Sequence, residues 1–420
     1  MTGRQSIFAF VISLVSIFIV AHFTDRGKIM TAEISTPYFS GAALIKADNK
    51  WQFNLNEVDS IKKITSIKNR TERIYALDHY KFSSIKSNSR TYEINQPGLV
   101  YLIAFSQLLF PFLGGIGSLK LLQLFVHLLF SFFIFQMLNG RTKKVIFFFS
   151  YLANPFIIYL ALFPFYYFWQ VIPSFILIII LLNKKLHHTS TLLLSAILFA
   201  LIFHVRASTI LLSSFTLLFS FYTINIYKRI LALALMFCVI YLLNPSYLSK
   251  HPGHVMYSSM GAYPNSPVQG FSDNISFENY AHDTGKQINY LSSPSMYDKE
   301  VIMGESKWGM AKFIDFGRRH PLILLRNATY NFFESFAFGY FTFSTILTYI
   351  SAILGFLFFT LLLLRKKYNF ILMIMAASLS FNLYLAPVPI YLFGSYIILL
   401  FAFLETFISA DHPTFIRKPF

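Results

Sequence analysis

The residues best equipped for chemistry crowd into one stretch of the chain, 251–280. His251 and His254 stand three apart, Asp273 supplies a carboxylate, and Tyr257, Tyr263 and Tyr280 supply hydroxyls among the turn-formers Pro252, Gly253, Gly261, Pro264 and Asn265. That histidine spacing is close to the spacing of metal ligands. Pro252-Gly253 between them marks a turn rather than a helix face, and neither a His-Glu-x-x-His pattern nor a cysteine pair occurs, so no metal site is expected there. The histidines read as protonatable donors to a substrate or as hydrogen-bonded structural residues. Asp273 is suited to orienting one of them or to binding a sugar hydroxyl, in a pocket where Tyr263 and Asn265 add polar contacts. The motifs Gly-x-Ser-x-Gly and Gly-x-x-x-x-Gly-Lys are both absent, which argues against a serine hydrolase and a nucleotide-driven pump.

The elements that position this stretch are membrane spans. The chain of 420 residues is 55% hydrophobic and 19% aromatic, with 50 Phe, a composition that indicates an all-α polytopic membrane protein. The net charge of +17 comes from dispersed basic residues, which fix topology and meet anionic lipid rather than nucleic acid. The lone Cys238 can form no intramolecular disulfide.

Apolar runs predict an uncleaved first span over 6–22 and further spans near 116–138, 145–162, 167–183, 191–205, 208–225, 230–244, 343–364, 369–386 and 390–408, which makes about ten transmembrane helices. The run Leu99–Leu113, before Gly114-Gly115-Ile116-Gly117, is short for a span and is expected at the interface or as a re-entrant segment. The connecting turns alternate in charge. Arg141–Lys144, Lys184-Lys185, Lys228-Arg229, Arg365–Lys367 and Arg417-Lys418 are basic, while the turns at 163–165, 204–206 and 387–389 carry only Arg206. The positive-inside rule places the basic set and both termini in the cytoplasm of an inner-membrane protein. The chain is then one integral-membrane domain, 1–420, with two long loops outside, 23–98 and 245–342, carrying interfacial helices. Within the spans charges are almost absent; Glu334 and Glu405 come closest, each near a span end.

The string His251-Pro-Gly-His254-Val-Met-Tyr257, continued by Gly261-Ala-Tyr263-Pro-Asn265 and Phe271-Ser-Asp273, resembles a segment of bacterial membrane glycosyltransferases of the GT-C superfamily. These are relatives of the protein O-mannosyltransferases and the lipid A aminoarabinose transferase. Asn95-Gln96-Pro97-Gly98-Leu99-Val100-Tyr101 is similar to their Pro-Gly-Tyr segment before the second span, and Val205-Arg206 to their Arg-Pro turn without its proline.

The resemblance implies a GT-C-like fold and transfer of a sugar from a polyprenyl-phosphate donor to an exported glycan, lipid or protein. It also implies an acidic residue in the first outer loop that serves as base toward the acceptor, or binds a divalent metal where one is used. Glu33, in Thr31-Ala32-Glu33 before Tyr38, occupies that place, with Asp25 as the nearest rival. The departing lipid phosphate needs cations, and Arg206 reads either as one that meets it or as a residue that snorkels to the membrane interface. Arg318 and Arg319 read either as phosphate contacts or as headgroup anchors. Competing readings are a non-enzymatic lipid-linked glycan flippase or transporter, and an O-antigen polymerase or ligase.

Overall fold

A computed structural model describes residues 3–24, 67, 69, 72, 76, 97–113, 115–243, 253–263, 273–286, 299–378 and 384–408. Over these residues the chain is all-helical. The helices are α1 (Gly3–Thr24), α2 (Pro97–Leu109), α3 (Gly115–Met137), α4 (Arg141–Phe147), α5 (Pro155–Leu162), α6 (Val171–Leu182), α7 (Thr189–Val205) and α8 (Ile210–Phe215). They continue with α9 (Ile226–Leu243), α10 (Gly253–Ser259), α11 (Asp273–Thr284), α12 (Lys299–Arg319), α13 (Pro321–Glu334), α14 (Thr345–Leu364), α15 (Tyr368–Ser378) and α16 (Phe393–Phe407).

Among the described residues three helices are long and apolar enough to cross a membrane: Gly117–Met137 of α3, α9 and α14. A π turn at Phe148–Leu152 follows α4, and the resulting segment meets α5 at a bend of 46°, so that this pair could make a fourth. The bend is written locally. Pro155 opens α5, and Asn154 caps it by accepting from the amides of Phe156 at 2.9 Å and Ile157 at 3.4 Å. Other segments expected as full spans are shorter helices. A 3₁₀ turn at Phe168–Gln170 precedes the twelve-residue α6, which alone rises about 18 Å. Likewise α8 passes into a π turn at Thr216–Ser220.

The helices run between two chemically distinct ends. At one end Gln170 donates to the Ile390 carbonyl at 2.6 Å and Ser174 to that of Gly394, so α6 and α16 start side by side and run parallel. The turns at 163–167, 206 and 387–391 gather there. Gln123 of α3 reaches the same end, donating to the carbonyls of Ala161 and Phe163. So does α2, where a Cβ at Gly98 would lie 2.7 Å from the His204 backbone at the end of α7. At the other end Lys143 pairs with Glu405 at 2.5 Å, and Phe407 of α16 lies 6.2 Å from Phe358 of α14. Lys228 reaches Thr189, and His187 reaches Thr223. The basic turns therefore share one end, and aromatic turns the other.

The main core fills the space between α3, α6 and α16 with fully buried Phe135, Phe168, Phe175 and Phe393. Beyond the aromatic end lies a smaller cluster of Tyr257, Met260 and Phe316 from α10, its following turn and α12.

Candidate functional site

Helix α13 supplies a polar wall. Asn327, Asn331 and Glu334 recur at helical spacing, so they share one face, and all three are buried. Tyr263, just after α10, docks on that face with its hydroxyl 2.7 Å from Asn331 Oδ1 and 2.9 Å from Glu334 Oε2. Its ring stacks on Tyr330 at 5.3 Å and meets Tyr340 at 5.4 Å, and the Tyr340 hydroxyl donates to the Ala262 carbonyl. Glu334 is 0% exposed. Its Oε1 has no hydrogen-bond partner, and no cation among the described residues pairs with it. Burial raises its pKa from 4.5 to about 8, against the lowering effect of the Tyr263 hydrogen bond. The Tyr263 hydroxyl is pushed well above its ordinary value by the same burial and by the neighbouring carboxyl.

A cavity of about 360 Å³ opens beside this wall. Asn327, Asn331, Ser259 and Tyr384 give it polar groups, Phe313 and Leu324 apolar surface, and no charged side chain among the described residues lines it. Tyr384 also connects it to Arg206, whose charge acts on the Tyr384 hydroxyl. Arg206 sits in the extended residue between α7 and α8, its guanidinium 4.9 Å from the ring centres of Tyr166 and Tyr167 and 5.4 Å from that of Tyr391. Three tyrosine faces hold this cation without neutralising it, since no carboxylate among the described residues pairs with it. A guanidinium so held presents donors to an anion, while the cavity beside it suits an uncharged polar group.

A second polar cluster stands one helix away. His254 Nδ1 lies 3.0 Å from Glu305 Oε1 on α12, and the Ser276 hydroxyl of α11 donates to the same oxygen. Glu305 and Ser276 are fully buried, while His254 keeps 25% of its side chain exposed. The helices meet closely because Gly253 and Gly309 face each other: a Cβ at Gly309 would stand 2.7 Å from the Gly253 carbonyl oxygen. Ser259, at the end of α10, carries this assembly to the cavity wall.

Of the residues singled out in the sequence, the structure brings Arg206 and Tyr263 to the same end of the bundle, through Tyr384 and Asn331, and places His254 on the adjoining helix. Asp25, Glu33, His251 and Asn265 lie outside the described residues. Asp273 begins α11, and its side chain also lies outside them. Arg318 and Arg319 are exposed on the last turn of α12, where Arg319 pairs with Asp315 at 3.0 Å, and neither lines the cavity. Among the described residues Glu305 is a carboxylate that meets His254. Asn327, Asn331 and Glu334 escaped the sequence reading of the site although their spacing of four and three residues is a legible stripe. Among the described residues no group of three His, Cys, Asp or Glu is arranged to hold a metal ion.

The spans carry polar groups as well. His127 of α3 is fully buried 5.6 Å from the Tyr151 ring, with no hydrogen-bond partner among the described residues for either ring nitrogen, and at the basic end Lys143 is buried against Glu405. No protein-family model, characterised protein or solved structure matches the chain.

Proposed function

We propose that the chain is a membrane glycosyltransferase of the GT-C type, with about ten spans, that moves a sugar from a polyprenyl-phosphate donor to an exported glycan, lipid or protein. One observation carries this reading: a cavity of about 360 Å³, mostly apolar but edged by Ser259, Asn327, Asn331 and Tyr384 and with no charged lining side chain among the described residues, adjoins, through Tyr384, an arginine that is caged by tyrosines and meets no carboxylate among those residues. The cavity suits a sugar, and the guanidinium suits the phosphate that leaves with the lipid. Both stand at the end of the bundle opposite the basic turns, which the positive-inside rule makes the outer face of the inner membrane. The first outer loop then contributes Glu33 or Asp25 as base, with or without a divalent metal. Incubating the purified protein in lipid with a panel of radiolabelled polyprenyl-phosphate sugars tests the reading; turnover with one member supports it, and none with any member removes it.

A second reading, a flippase for lipid-linked glycan, is favoured by His127, buried within a span with no hydrogen-bond partner among the described residues, because ionisable groups within spans mark transport paths. Transbilayer movement of the donor without turnover in the same vesicles would select it.

A further inference from the structure

The Tyr263 hydroxyl has one proton and two acceptors. It stands 2.7 Å from Asn331 Oδ1 and 2.9 Å from Glu334 Oε2, both within hydrogen-bond range. If Glu334 is ionised, one of the two oxygens faces Tyr263 without a hydrogen between them. If Glu334 carries a proton on Oε2, that proton goes to the Tyr263 oxygen, the Tyr263 proton goes to Asn331, and both contacts become bonds. The surroundings agree with the protonated form. Glu334 is 0% exposed and meets no cation among the described residues, Tyr340 donates its hydroxyl to the Ala262 carbonyl, and Tyr349 of α14 adds a further phenol.

This chain of bonds sets the polarity of the cavity wall. With Oδ1 taken by Tyr263, Asn331 Nδ2 makes no hydrogen bond among the described residues, and Asn331 lines the cavity while only 2% exposed. An ionised Glu334 would draw the Tyr263 proton to itself, since hydrogen bonds to charged acceptors are about twice as strong. The amide would then be better satisfied turned over, donating to the Tyr263 oxygen and showing its carbonyl to the cavity.

We infer that Glu334 is a positioning residue which, held protonated, orients the Asn331 amide through Tyr263 so that the cavity offers a donor to a hydroxyl or ether oxygen of an uncharged sugar ring. Binding of that ring is therefore lost when Glu334 ionises. The inference rests on the donor-sugar reading of the cavity, but its proton can be observed without any ligand.

The test has two arms. Difference infrared spectra of wild type against Glu334→Gln in lipid, titrated from about pH 5 to about 10, should show a protonated-carboxyl band at neutral pH that fades around the pKa of about 8. Absence of that band at pH 7 overturns the inference, whatever the protein's activity. In the second arm, KM for the polyprenyl-phosphate sugar should rise about tenfold per pH unit above the transition in wild type. Glu334→Gln donates to Tyr263 at every pH, so its KM should stay flat within about twofold while Glu334→Ala raises KM throughout. A Gln variant that follows the Ala variant would show that Glu334 acts otherwise. If no donor turns over, the glycosyltransferase reading falls, and the infrared arm still decides the protonation.

Discussion

Glu305 Oε1 stands 3.0 Å from His254 Nδ1 at the point where α10 crosses α12, and Ser276 shares the same oxygen. Removing the carboxyl in Glu305→Ala leaves the buried Ser276 hydroxyl without its acceptor, a loss of about 1–3 kcal/mol, and takes the carboxylate from the quarter-exposed His254. Gly253→Ala attacks the same crossing by volume, since its Cβ would overlap the Ser306 carbonyl, and overpacking costs about 1–3 kcal/mol or more. Melting in detergent should fall for both variants and stay near wild type for Lys307→Ala, an exposed position on α12. Equal melting of all three would refute the crossing as a stabilising contact.

Glu334 makes stability depend on pH in a stated direction. Its carboxyl has a higher pKa folded, about 8, than its ordinary 4.5, so the folded chain binds the proton more tightly than the unfolded one. The stabilisation is fully present below about 4.5 and declines as pH rises toward about 8, by about 1.4 kcal/mol per pH unit. Denaturant titrations should show this slope in wild type and its absence in Glu334→Gln; parallel profiles would contradict it.

Arg206 should matter through its charge and its planar fork together. Arg206→Gln removes charge-assisted bonds of about 1.5–3 kcal/mol, about 10–100-fold in KM for a phosphate-bearing donor. Arg206→Lys keeps the charge but loses the guanidinium plane that lies over Tyr166 and Tyr167, so it should recover only part of the affinity. Unchanged KM in the Gln variant would place the phosphate elsewhere.

The Lys143–Glu405 pair calls for a double-mutant cycle. Its side chains are 2% and 11% exposed, so Lys143→Met alone strands a buried carboxylate at a cost of about 3–5 kcal/mol. Lys143→Met with Glu405→Leu should be far less damaging, because neither charge remains to be buried. Additive losses in thermal stability would show that the two residues are not coupled.

Orientation is read directly by reporter fusions. Fusions after Lys144, Lys185, Arg229 and Lys367 should report cytoplasm, and fusions near Lys50 and Asn265 the outside. An external signal at Lys144 inverts the topology and puts the cavity on the wrong side for an exported acceptor.

Some of this was legible in the chain. Long apolar runs write helices wherever they occur, and a single basic residue among apolar turns drew attention to Arg206. His254 and Tyr263 could be singled out because turn-formers surround them. What stayed hidden depends on contacts between distant segments. Glu305 looks like one more charge on an amphipathic helix until Gly253 and Gly309 let α10 close over it. The lengths of α6 and α8 are set by 3₁₀ and π turns that hydropathy does not register. The stripe of Asn327, Asn331 and Glu334 was present in the spacing, but only the arrival of Tyr263 gives it meaning.

The ion pair near the chain's end also has a consequence for biogenesis. Lys143 leaves the ribosome 262 residues ahead of Glu405, so until α16 is made its ammonium lacks this counter-charge. Helix α4 therefore gains this counter-charge only when α16 has been synthesised, which makes α16 a latch on assembly. A chain interrupted before α16 would lack the partner of Lys143, a feature by which membrane quality control could tell copies without α16 from copies that carry it.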